Sequence, residues 1–383
     1  MTWADSGSVY GGLGPEDLGP DAIIDDADRL SERDPDGQLV ETGYAGSMVR
    51  RTLTELQESG LLASIEPPVR YFVVFAGYGA KDAAKAVAAL AAEIIAAPAL
   101  IRQTFGDRTP WLGFADVVLI LSDTGADEAS IRAAQIALQR GSTVVVSTAP
   151  DSPLDALCRA HRGTLVVSST PQSSNAIWTH VATGLAVSEL LRESGRGEST
   201  DASLETLADA IDRTSAIAGP LSPAANNPAK MLALDCLGAT PLAVSDSPLA
   251  AAAAYRFASK TLATQGIPIA HVGLPAGLAR MHAVLEGPYV RPAGDLFFDP
   301  YEEGGPGRPS RPLRVVLFTE STDVSSRTAI TQMARERGVG LSIIAAEGEC
   351  PAARLASLLQ VADVAAAYLP IISKSNVSKG REE

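Results

Sequence analysis

At 383 residues, 46% hydrophobic and 20% charged, the chain is long enough for two ordinary domains, each with its own core. Its formal charge of −14, with 31 Lys and Arg scattered rather than striped along one face, argues against nucleic acid and anionic membranes as partners. No stretch of about 18 uncharged apolar residues is seen, and "MTWADSGSVYGG" carries neither a basic region nor an apolar leader, so the expected location is cytoplasmic. Cys158, Cys236 and Cys350 are odd in number, far apart and without C-x-x-C or Cys/His ligand spacing, so they are read as buried thiols rather than zinc ligands or a disulfide framework. With only four histidines, the candidate chemistry narrows to carboxylates, hydroxyls and backbone amides, and neither a metal nor a cofactor is implied.

In chain order, residues 1–66 are a polar, acidic segment in which Leu39, Met48, Leu53, Leu56 and Leu61 fall near helical spacing. "RYFVVFAGYGA" is a short apolar and aromatic run ending in glycines, followed by the strong helix former "KDAAKAVAALAAEIIAA". "ADVVLILS", "STVVVST" and "GTLVVSS" each repeat this strand-then-helix pattern, which implies a parallel sheet with right-handed crossovers over residues 67–196. Residues 197–229 read as a linker carrying an amphipathic helix around Leu204 to Ile217 and ending in Pro and Asn. The alternation restarts over 230–383 with "MLALDCLGATPLAV", "IPIAHVGLP", "RPLRVVLFTE" and "VGLSIIAAEG", and closes on the helix "CPAARLASLLQVADVAAAYLPII". A Gly/Pro-rich excursion around Phe297 and Phe298 interrupts this second half.

In an open parallel sheet, ligands lie beyond the C-terminal strand ends, where helix N-termini offer unpaired N–H groups to anions. Two turns qualify here. "AGYGAKD" has Gly77 and Gly79 for close backbone approach and Lys81 at the helix start, and "SDTGADE" has Ser122, Thr124, Gly125 and Asp127. The second turn has two readings. It could cradle a phosphate, or Thr124 or Asp127 could cap the helix that follows. The G-x-G of the first turn lacks the third glycine of a dinucleotide fingerprint.

The order of these strings resembles the sugar isomerase (SIS) domain proteins of the bifunctional phosphoglucose/phosphomannose isomerase family, most closely its divergent TobH-type members. The resemblance is carried by "SDTGADE" against S-x-S-G-x-T-E-E, by "NPAKMLALDCLGATPLAVSDSPLAAAAAYRFASKTLATQG", and by the tail "GECPAARLASLLQVADVAAAYLPII", over roughly residues 40–372. It implies two tandem SIS domains, each a flavodoxin-like parallel five-stranded sheet flanked by helices. It also implies a sugar-phosphate ligand, a homodimer, and aldose–ketose isomerisation of glucose 6-phosphate or mannose 6-phosphate to fructose 6-phosphate without a cofactor.

The same resemblance marks where this sequence departs from the family. The family's G-M-G-G-S becomes Gly77, Tyr78, Gly79, Ala80 and Lys81, and a phosphate-binding hydroxyl becomes Asp127. A carboxylate about 4 Å from a phosphate dianion costs several kcal/mol at an effective dielectric near 20. Lys81 could offset that cost, or could pair with Asp127 and fill the pocket. The family's Q-P-R-A reads with Ser174 and Asn175 near the arginine's place, and its catalytic glutamate and histidine fall near Thr264 and on Ala279. His282 and Glu286, at i and i+4, are the candidate displaced catalytic pair. Ser245 and Ser247 mark a further candidate anion turn in the second half. The alternative is a non-catalytic phosphosugar-binding or regulatory protein using the same clefts.

Overall fold

The computed structural model describes residues 20–59, 68–106, 109–161, 164–168, 175–192, 199–290, 311–320 and 324–373. The acidic N-terminal segment is folded into the body of the protein from residue 20 onward. It forms α1 (Pro20–Ile24), α2 (Ala27–Glu32), α3 (Gln38–Thr42) and α4 (Ala45–Ser59), and buries Ile23, Ile24, Leu30, Leu39, Val49 and Leu56. The excursion around Phe297 and Phe298, and Ser174, lie outside the described residues.

The first half runs β1 (Tyr71–Ala76), α5 (Lys81–Ile94), β2 (Ala99–Arg102), β3 (Asp116–Ser122), α6 (Glu128–Gln139), β4 (Thr143–Thr148), α7 (Pro153–Arg159), β5 (Leu165–Ser168) and α8 (Ala176–Leu190). All strands are parallel in the order β2-β1-β3-β4-β5. Strand β2 escapes sequence reading because it is a four-residue edge strand with no buried residue, so it carries neither alternation nor an apolar run. Helix α9 (Thr200–Ala218) leads to α10 (Pro228–Cys236), β6 (Thr240–Ser245), α11 (Pro248–Gln265), β7 (Ala270–Gly273), α12 (Leu278–Leu285), β8 (Leu313–Thr319), α13 (Val324–Glu336), β9 (Gly340–Ala345) and α14 (Pro351–Ser373). The second sheet is parallel in the order β7-β6-β8-β9. Among the described residues it therefore has four strands and not the expected five, because the chain passes from β9 directly into the 23-residue α14.

Strand alternation separates the layers. Phe72 and Val74 of β1, Leu119 and Leu121 of β3, and Val316 and Phe318 of β8 face one central core. Val73, Phe75, Val118 and Ile120 face an outer core with α6 and α7, while Val315 and Leu317 face a third core with α12 and α13. The layer between the two sheets is helical, with α4, α5, α8, α9, α10, α11 and α14 packed together. Helices α8 and α14 are apolar on every side because they are enclosed on every side. By length and composition α14 could cross a membrane, but 94% of its most apolar window is buried inside the protein. Gly184 lets α8 close on α5, since a Cβ there would lie 2.3 Å from a Val87 methyl carbon.

A buried ion network joins three helices of this layer. Arg256 of α11 bonds Asp363 of α14 through Nε at 2.7 Å and Asp82 of α5 through Nη1 at 3.2 Å, and Lys260 of α11 bonds Asp363 at 2.8 Å. Burial pushes the Asp363 carboxyl upward, but Arg256 and Lys260 outweigh it and hold the group below its ordinary pKa. Asp82, with one cation, is left above its ordinary value by burial. Removing one partner of such a network strands the others in a dry interior, at a cost of about 3–5 kcal/mol. Asp363→Ala is expected to lower the unfolding free energy by about that amount in denaturant titration, while Asp209→Ala, which removes one exposed partner of Arg50, changes it by less than about 1 kcal/mol.

Candidate functional site

The order 2-1-3 puts the switch point of the first sheet between β1 and β3, so the two turns singled out in the sequence face one another across a single crevice. They are zipped together by Gly77 N–H donating to Leu121 O at 2.8 Å and Asp123 N–H donating to Tyr78 O at 3.0 Å. Gly79, at φ +75°, lies where a Cβ would stand 1.9 Å from an Asp123 carboxylate oxygen, so both the backbone conformation and the contact require glycine.

The crevice has an internal anion. Asp127 caps α6, with Oδ1 accepting Ser130 N–H at 2.9 Å. Its Oδ2 accepts the Ser122 hydroxyl at 2.6 Å and, more weakly, Tyr78 N–H at 3.5 Å. The Ser122 oxygen in turn accepts Gly125 N–H at 3.0 Å. A helix N-terminus, a hydroxyl and a backbone amide of the facing turn, the groups that would hold a phosphate, all converge on this carboxylate. Burial would raise the Asp127 carboxyl, yet the hydrogen bonds from Ser122, Ser130 and Tyr78 overcome it and hold the group below its ordinary pKa. Thr124 bonds only within its own turn, its Oγ1 accepting Ala126 N–H at 3.3 Å.

Lys81 does not meet Asp127. It begins α5 and turns to the other half of the protein, where its Nζ lies 5.5 Å from the Tyr255 ring centroid. A hydrogen bond with the Tyr255 phenol is the main influence raising its pKa. Asn175, which stands near the family's arginine, donates its amide to Glu41 O of α3 and ties the N-terminal segment to α8. His282 and Glu286 share an exposed face of α12, and Glu286 bonds Arg337 at 3.2 Å. That helix covers the outer face of the second sheet through Met281 and Leu285, so the sheet separates the pair from the central layer and from the first-half crevice. Thr264 bonds back to Lys260 O at 2.9 Å.

One cluster was not legible beforehand. His180 of α8 is fully buried, with Nε2 3.0 Å from Asp123 Oδ1 and Nδ1 2.7 Å from Ser147 Oγ. The Asp123 side chain remains 30% exposed in the crevice. Because a carboxylate only accepts, Nε2–H donates to it, and the Ser147 hydroxyl is the hydrogen-bond partner of Nδ1 on the other side of the ring. This fixes the orientation of a crevice carboxylate by a second group, as a general base requires. The only sequence signal was a lone histidine in the otherwise apolar run "AIWTHVATGLAV".

The switch point of the second sheet lies between β6 and β8 and is bridged in the same way. Asp246 accepts the Thr319 hydroxyl, and also Glu320 N–H at 3.1 Å. Ser247 caps α11 through Ala250 N–H at 3.1 Å, and Ser245 Oγ lies 2.9 Å from His271 Nε2. Among the described residues no three His, Cys, Asp or Glu side chains are grouped to hold a metal. Burial pushes the Cys158 and Cys236 thiols up to about 11 and about 12, which removes them as nucleophiles at neutral pH.

Residues 225–379 match the family described as the bacterial phospho-glucose isomerase C-terminal SIS domain. The fold is similar to tagatose-6-phosphate ketose/aldose isomerase from Escherichia coli, with a TM-score of 0.62 at 15% identity over 88% of this chain and 92% of that one. It is also similar to the C-terminal domain of glucosamine-fructose-6-phosphate aminotransferase from Francisella tularensis, with a TM-score of 0.61 at 10% identity over 88% of this chain and 96% of that one. No curated protein matches the chain by sequence. The architecture is that of tandem SIS domains, with parallel sheets of five and four strands among the described residues.

The depressed Asp127 carboxyl sets a pH dependence. Its contribution to stability is present above the ordinary carboxylate pKa of about 4 and is lost as pH falls through the lower folded-state value. Asp127→Asn is expected to flatten the acid limb of a plot of unfolding midpoint against pH between about 5 and about 2, measured by thermal unfolding of both proteins in matched buffers.

Proposed function

We propose that this chain, a tandem SIS-domain protein, is a phosphosugar-binding relative of the aldose–ketose isomerases that does not isomerise its ligand. The observation that carries this reading is the Asp127 carboxylate seated on the donors of the first-half crevice. The match of residues 225–379 to a phospho-glucose isomerase SIS domain supports the ligand class, a hexose 6-phosphate that the glucose-6-phosphate/mannose-6-phosphate isomerases would share. A phosphate entering the crevice must displace Asp127 or approach it at a cost of roughly 4 kcal/mol per unit charge pair, at about 4 Å and an effective dielectric near 20. Within one chain His282 and Glu286 lie on the outer face of the second sheet, away from this crevice. A cytoplasmic homodimer belongs to this same reading.

A second reading rests on Asp123 and His180. Proton transfer between C1 and C2 of an open-chain sugar phosphate needs one positioned base, and Asp123, held by the buried imidazole and partly open to the crevice, has that geometry. In this reading Asp127 swings away on binding and the protein is an isomerase.

Asp127→Ser, which restores the hydroxyl of the family pattern, separates these readings. It is expected to shift thermal stabilisation by glucose 6-phosphate or fructose 6-phosphate to at least about tenfold lower ligand concentration, a change of about 1.4 kcal/mol. A variant no better than the parent removes the crevice from the proposal. Coupled assays for interconversion of fructose 6-phosphate with glucose 6-phosphate and mannose 6-phosphate are expected to show no turnover by the parent chain. Turnover that Asp123→Asn abolishes establishes the second reading instead.

A further inference from the structure

The two switch points carry their own carboxylates, while two cations elsewhere have none among the described residues. Lys85 lies one turn along α5 from Lys81, and both ammonium groups converge on Tyr255 of α11, at 4.4 Å and 5.5 Å from the ring centroid. Among the described residues neither lysine forms an ion pair, although the chain holds 45 acidic residues against 31 basic ones. The neighbouring acid, Asp82, is committed to Arg256 at 3.2 Å. A pair of like charges so close together, in a protein rich in opposite charge, leaves a local positive potential unsatisfied.

Lys85 and Tyr255 border a cavity. Lys85, Tyr255 and His271 line a cleft of about 260 Å³ between α5 and β2 of the first half and α11 and β7 of the second. Ala88 and Ala251, small residues on the facing helices, line it too and contribute apolar walls. His271 is anchored by its Nε2 against Ser245 Oγ at 2.9 Å. Burial first, and Lys85 second, push its imidazole below the ordinary pKa, which places the ring within the field of that ammonium.

We propose that this interdomain cleft is an anion-binding site for a sugar-sized phosphomonoester, distinct from the first switch-point crevice, with Lys85 as the charge-bearing ligand in its wall and Lys81, one turn away on the same helix, adding to the positive charge beside it. The Lys85 ammonium and the His271 imidazole meet a phosphate, and the alanine walls and the Tyr255 ring meet a short carbon skeleton. The volume is of the size of a triose to hexose monophosphate. An occupant contacts both halves of the chain and so favours their closed arrangement over any opening between them. The ligand class rests on the phosphosugar reading above, but the site itself rests on the cleft and its unpaired cations.

Isothermal titration of the full chain with three probes tests this: glucose 6-phosphate, inorganic phosphate and uncharged glucose. Glucose 6-phosphate is expected to bind, inorganic phosphate to bind more weakly, and glucose not to bind. Lys85→Gln, which removes the charge but keeps a polar side chain, is expected to weaken glucose 6-phosphate at least tenfold, and Lys85→Glu to abolish it. Unfolding curves superimposable on those of the parent show that these variants remain folded. Binding unchanged by Lys85→Gln and by Lys81→Gln overturns the cleft, as does the failure of both anions to bind the parent chain. If inorganic phosphate binds through Lys85 while glucose 6-phosphate does not bind at all, the cleft stands and the phosphosugar reading falls. If glucose 6-phosphate responds to Asp127→Ser and not to Lys85→Gln, the phosphosugar reading stands and the cleft falls.

Discussion

Arg256, Lys260, Asp82 and Asp363 place two cations and two carboxylates where water has been displaced, an arrangement tolerable only when every charge meets its partner. The four residues come from α5, α11 and α14, so satisfying them fixes the position of the first half against the second and of the terminal helix against both. Asp82 directly follows Lys81, and Arg256 directly follows Tyr255. The buried network and the Lys85 cleft are therefore two sides of one contact between α5 and α11, with the paired charges inside and, among the described residues, two lysines without ion partners at its edge. The start of α5 is also the end of the Gly77–Ala80 turn, so the network reaches the first switch point through one helix.

The switch points show a second constraint. In the first half a helix N-terminus and a hydroxyl converge on Asp127, and in the second Asp246 accepts the facing Thr319 hydroxyl and the Glu320 N–H while Ser247 caps the following helix. A carboxylate tethered at its site has a high effective concentration, while a dissolved phosphate must give up translational freedom and displace it. The donors of these turns are thereby engaged within the chain. Asp123 escapes this arrangement. Its carboxylate is held by His180 from behind and remains open to the crevice in front, so it is the group there with the freedom to act on a ligand.

Much of this was legible in the chain itself. Parallel strands and their order of appearance followed from apolar β-branched runs alternating with alanine-rich helices, and the "SDTGADE" turn declared both its hydroxyl and its helix-capping carboxylate. Edge strand β2 was not legible because its residues are half-exposed and unpatterned. The fifth strand of the second sheet was expected from the family resemblance alone, since the alternation over residues 230–383 itself offers four strand runs and a closing helix, as the described residues do. His282 and Glu286 carried the right chemistry at helical spacing, but spacing along one helix says nothing about which layer that helix covers. His180 was overlooked for the complementary reason: its partners, Ser147 and Asp123, are 33 and 57 residues away in sequence.

By itself the sequence determined what local chemistry can determine: the alternation of strands and helices, the capped turns with their glycines, and the presence of an aspartate where a phosphate-binding hydroxyl is expected. Tertiary structure alone decided the partners of the charges. Lys81 could have met Asp127 by any rule of composition, yet it is carried by α5 toward Tyr255, while Asp127 is retained by its own helix end and by Ser122. The reason is range. Caps and turns are settled among residues a few positions apart, whereas the pairing of a cation depends on which helices pack face to face, and that is fixed only when the whole central layer closes.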